Sequence, residues 1–321
     1  MVPMQAAVIG LGNIGMGYDS NSEDSAIVLT HAKAFHLHPE FELVAGIDPS
    51  SEKRDLFEKM YKVKSSPSVE DFIINSSTPE VAAIAVPSDQ HKDVFVHVAE
   101  LGIKNVICEK PMGNSFEDAK KISDVSQQYA VNTLINYIRR FDPGIIHIKD
   151  LLENGHLGVI EKIHVWYTGN YWVNASHFID LIFFLTEEEV SEDVIITSRS
   201  LSESPDFFLE FNSGLMAYFN SAKAENYELV EMEIIGQHRR MRFLCGGRDI
   251  RIEEAEEDKL FSGYKILKEK ESFVKTDFSR IQYHVLDSLC ESIENKHTVV
   301  SNPITALKTS SVLQNIHDQM Q

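Results

Sequence analysis

Residues Ala6–Gly15 read AAVIGLGNIG, an apolar run that leads directly into a G-x-G-x-x-G pattern. In a dinucleotide-binding βαβ unit the first glycine permits a tight turn, and the second lets the backbone approach a diphosphate. The third lets helix and strand pack closely, with the diphosphate at the helix N-terminus. Glycine-rich turns also close ordinary loops, but the strand in front of this one favours a cofactor site. The predicted cofactor loop consists of Gly10, Gly12, Asn13, Ile14 and Gly15.

The second part of this fingerprint is an acidic residue at the end of the next strand. Phe41–Asp48 (FELVAGID) has that form, and Asp48 is placed to accept hydrogen bonds from the adenosine ribose. Asp48 lies 33 residues beyond Gly15, whereas the fingerprint expects about 20. The polar segment Tyr18–Ser25 is therefore interpreted as an insertion that delays the next helix to about Ile27–His38. A carboxylate at this position repels a 2′-phosphate, so NAD is predicted in preference to NADP; the alternative is that Asp48 only begins a turn.

The composition limits the class of protein. The 321 residues are 43% hydrophobic and 25% charged, as in an ordinary globular chain with room for two domains. The formal net charge of −19 disfavours binding to nucleic acid or to an anionic membrane surface. No apolar run approaches the roughly 18 residues that span a bilayer, and no signal peptide precedes the first strand, so we expect a cytoplasmic protein. Cys108, Cys245 and Cys290 are odd in number and far apart, which suits a reducing compartment and predicts no metal site.

Strands and helices alternate over the first ~135 residues, which is typical of a doubly wound parallel sheet. Val81–Val86 is a nearly continuous apolar run, as expected of a strand that is covered on both faces. Ser88–Leu101 follows as an amphipathic helix, and Asn105–Cys108 is the next short strand. We predict an α/β Rossmann domain over residues 1–136.

The pattern changes after this point. Asp142 and Pro143 begin a helix that ends at Gly155. Strand-like runs follow, mostly without helices between them, at Glu161–Gly169, Val194–Arg199, Phe207–Phe211, Leu215–Phe219, Val230–Ile235, Arg240–Leu244 and Asp249–Glu253. Helices are expected at about Arg280–Glu294 and Pro303–Gln319. Residues 137–321 are therefore predicted to form an α+β domain with a largely antiparallel open sheet, and its uncovered face predicts a homodimer or homotetramer.

Further motifs extend the pattern beyond the glycine loop. Glu109-Lys110-Pro111 lies at the carboxyl end of a strand, and Val86–His91 reads VPSDQH. Asn136–Pro143 (NYIRRFDP) lies at the predicted domain junction, and Asn174–Leu181 (NASHFIDL) lies on a helix-like stretch. In this order the motifs resemble those of the glucose–fructose oxidoreductase/inositol dehydrogenase (Gfo/Idh/MocA) family of NAD(P)-dependent oxidoreductases over essentially the whole chain.

The resemblance implies a catalytic set. In the family the lysine of the E-K-P motif lies beside the nicotinamide and the reacting carbon, which places Lys110 there. An ammonium at the end of a strand can donate to a substrate hydroxyl and stabilise the alkoxide. His177 is the matching proton acceptor, because imidazole transfers protons near neutral pH, and Asp180 on the same helix face can orient the ring. The structural alternatives are a solvated lysine before a proline turn and a histidine packed on an amphipathic helix.

The resemblance also implies ligand contacts. The expected cofactor-binding residues outside the loop and Asp48 are Pro87, Ser88, His91, Glu109, Asn136 and Arg139. The expected substrate-binding residues are Lys110, Arg139, Tyr171, Trp172, Asn174 and His177. Many family members carry an aspartate four residues before this histidine, where this chain has Val173. A substrate preference taken from inositol or glucose dehydrogenases is therefore unsafe.

The resemblance implies an NAD-dependent dehydrogenase that acts on the hydroxyl of a sugar or nucleotide sugar. One alternative in the family is a glycosidase that uses NAD transiently in a redox-assisted elimination. Another is a non-catalytic, NAD(H)-binding regulator. Presence of both Lys110 and His177 favours an enzyme, since a regulator needs neither, whereas Val173 keeps the regulator open.

Overall fold

The computed structural model describes residues 2–22, 24–191, 194–198, 204–268 and 272–321. It separates into two compact units, one formed by Met1–Phe141 with Ser279–Ser310 and the other by Asp142–Phe278 with Ser311–Gln321. We call them unit 1 and unit 2.

The strands of unit 1 form one parallel sheet. They are β1 (Met4–Ile9), β2 (Phe41–Ile47), β3 (Ser65–Ser66), β4 (Val81–Ile84), β5 (Asn105–Cys108) and β6 (Asn132–Ile135). Their order is β3-β2-β1-β4-β5-β6, and every pairing between neighbours is parallel. This is the strand order of a dinucleotide-binding Rossmann sheet, whose order reverses between β1 and β4.

The strands of unit 2 form a mixed but mainly antiparallel sheet. They are β7 (Ile160–Thr168), β8 (Ile195–Ser198), β9 (Asp206–Glu210), β10 (Met216–Ala222), β11 (Val230–Gly236), β12 (Arg239–Leu244), β13 (Asp249–Glu257), β14 (Lys265–Leu267) and β15 (Ser272–Val274). The order is β14-β13-β12-β11-β7-β10-β9-β8, with β15 paired to β13. Only the β7–β10 pairing is parallel among those described. The predicted fold class is confirmed; Arg199, the last residue of one predicted strand, lies outside the described residues.

The helices are α1 (His31–Leu37), α2 (Ser51–Tyr61), α3 (Val69–Asn75), α4 (His91–Glu100), α5 (Phe116–Gln128), α6 (Pro143–Glu153), α7 (Ala175–Thr186), α8 (Ile281–Asn295) and α9 (Pro303–Met320). The side chains of Thr30, Ser50, Ser68 and Ser115 cap α1, α2, α3 and α5 by accepting a hydrogen bond from a first-turn N–H. In the described ranges, no helix is both long and apolar enough to cross a membrane.

The core of unit 1 lies on both faces of its sheet. Alternate strand residues serve opposite faces, with Val8 and Ala83 on one side and Ile9 and Ile84 on the other. Helix α8 buries Val285 and its neighbours in the same apolar cluster as Val8. The compact unit therefore includes residues 279–310, whereas the sequence analysis placed everything after residue 136 in a second domain. Hydrophobic periodicity reveals that α8 is amphipathic but not which sheet it covers.

The N-terminal insertion also differs in detail from its prediction. A short helical turn at Asn13–Gly17 follows the glycine loop directly, and α1 begins at His31 rather than near Ile27. Thr30 sets this start as the N-cap residue of α1. The backbone between the turn and α1 accommodates the inserted residues, of which Glu23 lies outside the described set.

Candidate cofactor and catalytic site

The glycines of the N-terminal loop differ in their surroundings. Gly10 has a φ of +97°, and a β-carbon there would lie 2.6 Å from the backbone of Ala85. A β-carbon on Gly15 would clash with the carbonyl oxygen of Gly10. At Gly12, apart from its chain neighbours, no atom of the described residues lies within 4 Å of the position that a β-carbon would take. Packing therefore requires Gly10 and Gly15, whereas Gly12 borders space that a ligand can enter.

A cavity of about 760 Å³ opens in front of this loop. It lies at the carboxyl ends of β1, β2 and β4, the edge at which a sheet of this order binds dinucleotides. Its volume is in the range of small-molecule sites. The predicted cofactor residues that line it are Gly10, Gly12, Asn13, Ile14, Asp48 and Pro87. The open position at Gly12 and the carboxylate of Asp48 fit the diphosphate and the ribose of a dinucleotide.

The Asp48 carboxylate is held on both of its oxygens. The backbone N–H groups of Leu11 and Ser50 donate to Oδ2 and Oδ1, each at 2.9 Å. The Lys53 ammonium lies 3.3 Å from Oδ2 and also lines the cavity. Sequence analysis missed Lys53, although it lies only five residues after Asp48 and near the start of a predictable helix. Asp48 thus ties the glycine loop to the end of β2 and has a cation beside it.

In the Val86–His91 segment, Pro87 faces the cavity, whereas His91 is bonded to the backbone. Pro87 lines the cavity, and Ser88 begins a short helical turn before α4. His91 is 1% exposed, and its ring nitrogens each lie 2.9 Å from a carbonyl oxygen, Nδ1 from Pro111 and Nε2 from Val86. This geometry supports a role for His91 in holding the backbone on either side of the site rather than in touching the cofactor.

Glu109 follows β5, and its side chain enters a buried polar network. Its Oε1 lies 2.8 Å from Nε2 of His31 and accepts a hydrogen bond of 2.6 Å from Nδ2 of Asn136. The same Asn136 amide lies 3.3 Å from Oε1 of Gln282 on α8. Burial raises the pKa of Glu109, but the bonds from His31 and Asn136 and the charges of His31 and Lys110 outweigh it, so the net pKa is lowered. Glu109 is therefore a carboxylate at neutral pH.

Lys110 is half-buried beside this carboxylate. Burial lowers the pKa of Lys110 to about 8, the charge of Glu109 opposes this effect, and the positive charge of Arg139 adds to it. Arg139 lies in the helical turn Ile138–Phe141, where its neighbour Arg140 donates to the carbonyl of Val300 at 3.1 Å. Lys110 can thus be either an ammonium or an amine within the physiological pH range, as proton transfer requires.

In unit 2, α7 carries the other predicted catalytic residues. His177 is half-buried and Asp180 is 1% exposed, three residues apart on one helix face. In the loop before α7, the Asn174 amide donates to the carbonyl of Thr168 at 2.7 Å. His177 belongs to unit 2, whereas Lys110 belongs to unit 1.

The aromatic residues before α7 contact the C-terminal helix α9. The Tyr171 hydroxyl lies 3.3 Å from Nδ1 of His317, and the rings of Trp172 and His317 meet edge to face at 6.3 Å. Burial and the charge of Asp318 raise the pKa of Tyr171, so it stays a neutral phenol. Sequence analysis missed His317 here and His31 and Gln282 around Glu109. Each is far along the chain from its partner, and no local motif joins them.

Comparison with known proteins agrees with this geometry. Residues 4–137 match the family described as "Oxidoreductase family, NAD-binding Rossmann fold". The rhizopine catabolism protein MocA of Rhizobium meliloti is 28% identical over 49% of this chain and 45% of its own length. Glucose-6-phosphate 3-dehydrogenase of Bacillus subtilis (strain 168) is 30% identical over 52% of this chain and 45% of its own. The chain thus spans less than half the length of these relatives.

A solved structure extends the likeness of the fold. The UDP-N-acetylglucosamine 3-dehydrogenase of Acidithiobacillus ferrooxidans superposes with a TM-score of 0.75 at 16% identity, covering 100% of both chains. The strand order and glycine loop of unit 1 agree with the fold named for the matched residues. Residues 4–137 are therefore similar to the Gfo/Idh/MocA oxidoreductase family, and they have the NAD-binding Rossmann fold that the motifs of this chain predicted.

Proposed function

We propose that this protein is an NAD-dependent dehydrogenase that acts on a hydroxyl-bearing carbon of a carbohydrate or nucleotide sugar. The observation that carries the proposal is the cavity in front of the glycine loop at the carboxyl edge of the Rossmann sheet, with Lys110 at the same edge directly after the buried Glu109. When bound, the nicotinamide of NAD supplies the hydride acceptor at C4. The cavity at the glycine loop fits the rest of the dinucleotide.

The cofactor is held by residues of unit 1. Gly12, Asn13 and Ile14 would border the diphosphate, and Asp48 would accept hydrogen bonds from the ribose. Glu109, Asn136 and Arg139 follow β5 and β6, further along the same edge of the sheet. His91 and Gly15 support this set through the backbone and need no contact with the cofactor.

The chemistry of the substrate hydroxyl falls to Lys110, His177 and Asp180. The Nζ of Lys110 would donate to the substrate oxygen and stabilise its developing negative charge. A ring nitrogen of His177 would take the hydroxyl proton, and Asp180 would orient the ring or stabilise its protonated form.

The substrate class is supported by composition around α7 and by the relatives. Half-buried Trp172 has an aromatic face of the kind that stacks on the C–H faces of sugars, and Asn174 directly precedes α7. Tyr171, expected beside it, is 7% exposed within the apolar core of unit 2. One relative is named as a dehydrogenase of glucose 6-phosphate and one structural neighbour as a dehydrogenase of a UDP-sugar. Val173 stands in place of the usual aspartate, so the sugar itself is left to experiment.

The open face of the unit 2 sheet supports a homo-oligomer. Along β7, Ile163 and Val165 are buried, whereas Trp166 on the opposite face is 41% exposed; Tyr218 on the adjoining β10 is 37% exposed. Exposed aromatic side chains on a sheet favour a subunit contact. A monomeric mass by light scattering at micromolar concentration would reject the dimer or tetramer. The proposed cytoplasmic location agrees with Cys108, Cys245 and Cys290, all free thiols.

The decisive experiment is a panel of sugars, sugar phosphates, inositols and nucleotide sugars, incubated with NAD and followed by the absorbance of the reduced cofactor. The proposal expects turnover with at least one member. Glycoside cleavage that depends on NAD without its net reduction would support the redox-assisted glycosidase. Tight NAD binding with neither reaction would support the non-catalytic regulator.

A further inference from the structure

His31 and Glu109 form a buried contact between titratable groups in unit 1. His31 is 1% exposed and Glu109 is 8% exposed, and 2.8 Å separates Nε2 from Oε1. The two residues are 78 positions apart in the chain. His31 is the first residue of α1, whereas Glu109 directly follows β5. The contact therefore joins the first residue of α1 to the residue before Lys110.

The buried Glu109 carboxylate is stabilised by hydrogen bonds from other side chains. A buried carboxylate is costly unless hydrogen bonds replace its lost hydration. In the described structure, Oε1 receives the His31 ring and the Asn136 amide. The hydrogen bond from His31 lowers the pKa of Glu109 more than the bond from Asn136 does. Removal of His31 takes away this larger contribution and leaves the Asn136 bond and the charge of Lys110.

The insertion holds His31 in place. Asp19, itself 2% exposed, accepts hydrogen bonds from the N–H groups of Leu29 and Thr30 at 2.8 and 3.2 Å and from the Thr30 hydroxyl at 2.7 Å. Thr30 in turn caps α1. Asp19 thereby fixes the backbone of Leu29 and Thr30, directly before His31. This restricts the His31 ring to its position beside Glu109.

We propose that His31 is a positioning residue for the Glu109–Lys110 pair: its ring, 2.8 Å from the Glu109 carboxylate, fixes that buried group directly before Lys110 in the chain. The Tyr18–Ser25 insertion, through Asp19, is the element that delivers His31 to this place. The proposal rests on the proposed function only for the consequence of the Lys110 charge in catalysis. The effect on Lys110 itself is independent of any substrate.

The charges around Lys110 predict how its pKa changes when Glu109 is altered. Glu109 favours the ammonium, whereas burial and the positive charge of Arg139 favour the amine. If Glu109 becomes protonated or is replaced by a neutral residue, its charge no longer favours the ammonium. Burial and the charge of Arg139 still favour the amine. The pKa of Lys110 then falls below its value of about 8.

The experiment measures the Lys110 pKa directly in the full chain. Trace acetic anhydride labels amines in proportion to their unprotonated fraction, and mass spectrometry of the Lys110 peptide across pH 6 to 11 gives the titration curve. We expect His31→Leu and Glu109→Gln each to lower the Lys110 pKa by about one unit. His31→Gln, which keeps a donor near the position of Nε2, should stay within a few tenths of the original value.

Two controls separate positioning from general damage. His36→Gln changes an exposed histidine on the same helix and should leave the Lys110 titration unchanged. The double variant His31→Leu with Glu109→Gln should show no further shift beyond Glu109→Gln, because the two residues act in series. If His31→Leu fails to fold, Glu109→Gln and His31→Gln still decide the outcome.

The results distinguish this inference from the proposed function. An unchanged Lys110 pKa in Glu109→Gln, or equal shifts in His31→Gln and His31→Leu, overturns the positioning role even if the protein oxidises sugars. The expected shifts in a protein that turns over no sugar support the positioning role while the proposed function fails. In an active protein, the shift should move the alkaline limb of the pH–rate profile by the same amount.

Discussion

The polar groups around Glu109 and those around α7 differ in how far along the chain their described partners lie. Glu109 is held by side chains from α1 and from the segment after β6, in a buried network. In the loop before α7, Asn174 donates to the backbone of that same loop. Under the proposed function the first set serves NAD and the second a substrate, so we expect substitutions around α7 to change the choice of substrate more than the binding of NAD.

The sharpest test of this contrast replaces one residue from each region. Lys110→Ala and His177→Ala should each lower kcat by ~10² or more, because each removes a group that acts on the substrate hydroxyl. The NAD dissociation constant should change by no more than severalfold in either variant. Steady-state kinetics on the substrate found in the panel, with calorimetry of NAD binding, measures both quantities.

The two variants need not agree. Near-normal turnover in His177→Ala with a large loss in Lys110→Ala would remove the histidine from the mechanism and confine the catalytic machinery to unit 1. Val173→Asp is a useful companion, because it restores the aspartate usual in the family. A gain of activity on inositol or glucose would show that this position selects the substrate.

Substitutions at two glycines of the loop should affect different properties, the stability of unit 1 at Gly15 and the affinity for NAD at Gly12. Gly15→Ala forces a β-carbon against the Gly10 carbonyl and should destabilise unit 1 by about 1–3 kcal/mol, seen as a lower Tm. Gly12→Ala meets open space, so its Tm should stay near that of the parent while NAD binding weakens by about tenfold or more. A Gly12→Ala protein that binds NAD normally would show that the diphosphate lies elsewhere.

Much of unit 1 could be predicted because its requirements are local. The glycine pattern, the apolar strand before it and the E-K-P motif are each contiguous in sequence, and the parallel sheet follows from alternating elements. In unit 2, Asp142 before Pro143 was equally visible, and Asp142 is the N-cap residue of the helix that the sequence predicted there.

Apart from Lys53 beside Asp48, the contacts named above that sequence analysis missed are between distant residues. His31 contacts Glu109, Gln282 contacts Asn136, and His317 contacts Tyr171. The two residues of each pair lie on elements that are far apart in the sequence. Periodicity shows that α8 is amphipathic, but its apolar face suits either sheet. Only the packing of Val285 against the core of unit 1 decides which one it covers.

The pKa of Lys110 gives a prediction about pH. If the ammonium stabilises the substrate oxygen, kcat/KM for oxidation should fall as the pH rises through about 8, because Lys110 loses its proton there. At higher pH the decline should approach tenfold per pH unit. Lys110→Arg keeps its charge throughout this range and should lose that limb at a lower overall rate. A wild-type profile that rises steadily to pH 10 would instead assign Lys110 a role as the neutral amine.

The smallest expected effect concerns the choice between NAD and NADP. Asp48 can accept hydrogen bonds from a ribose and repels a 2′-phosphate, so NAD should bind more tightly. Lys53, 3.3 Å from the carboxylate and half-exposed, offsets part of that repulsion. Arg54 cannot do the same from its present position, because its guanidinium donates to the carbonyls of Asp48 and Pro49 at 2.8 and 2.9 Å.

Calorimetric titration of both cofactors resolves these contributions. Lys53→Gln should weaken NADP severalfold and leave NAD nearly unchanged, since an exposed ion pair contributes only about 0–1 kcal/mol to the fold. Asp48→Asn should narrow the gap between the cofactors by about tenfold, because it removes the repulsion and keeps an acceptor for one ribose hydroxyl. Equal or tighter NADP binding by the unmodified protein would mean that Asp48, tied to the N–H groups of Leu11 and Ser50, serves only to close the turn after β2.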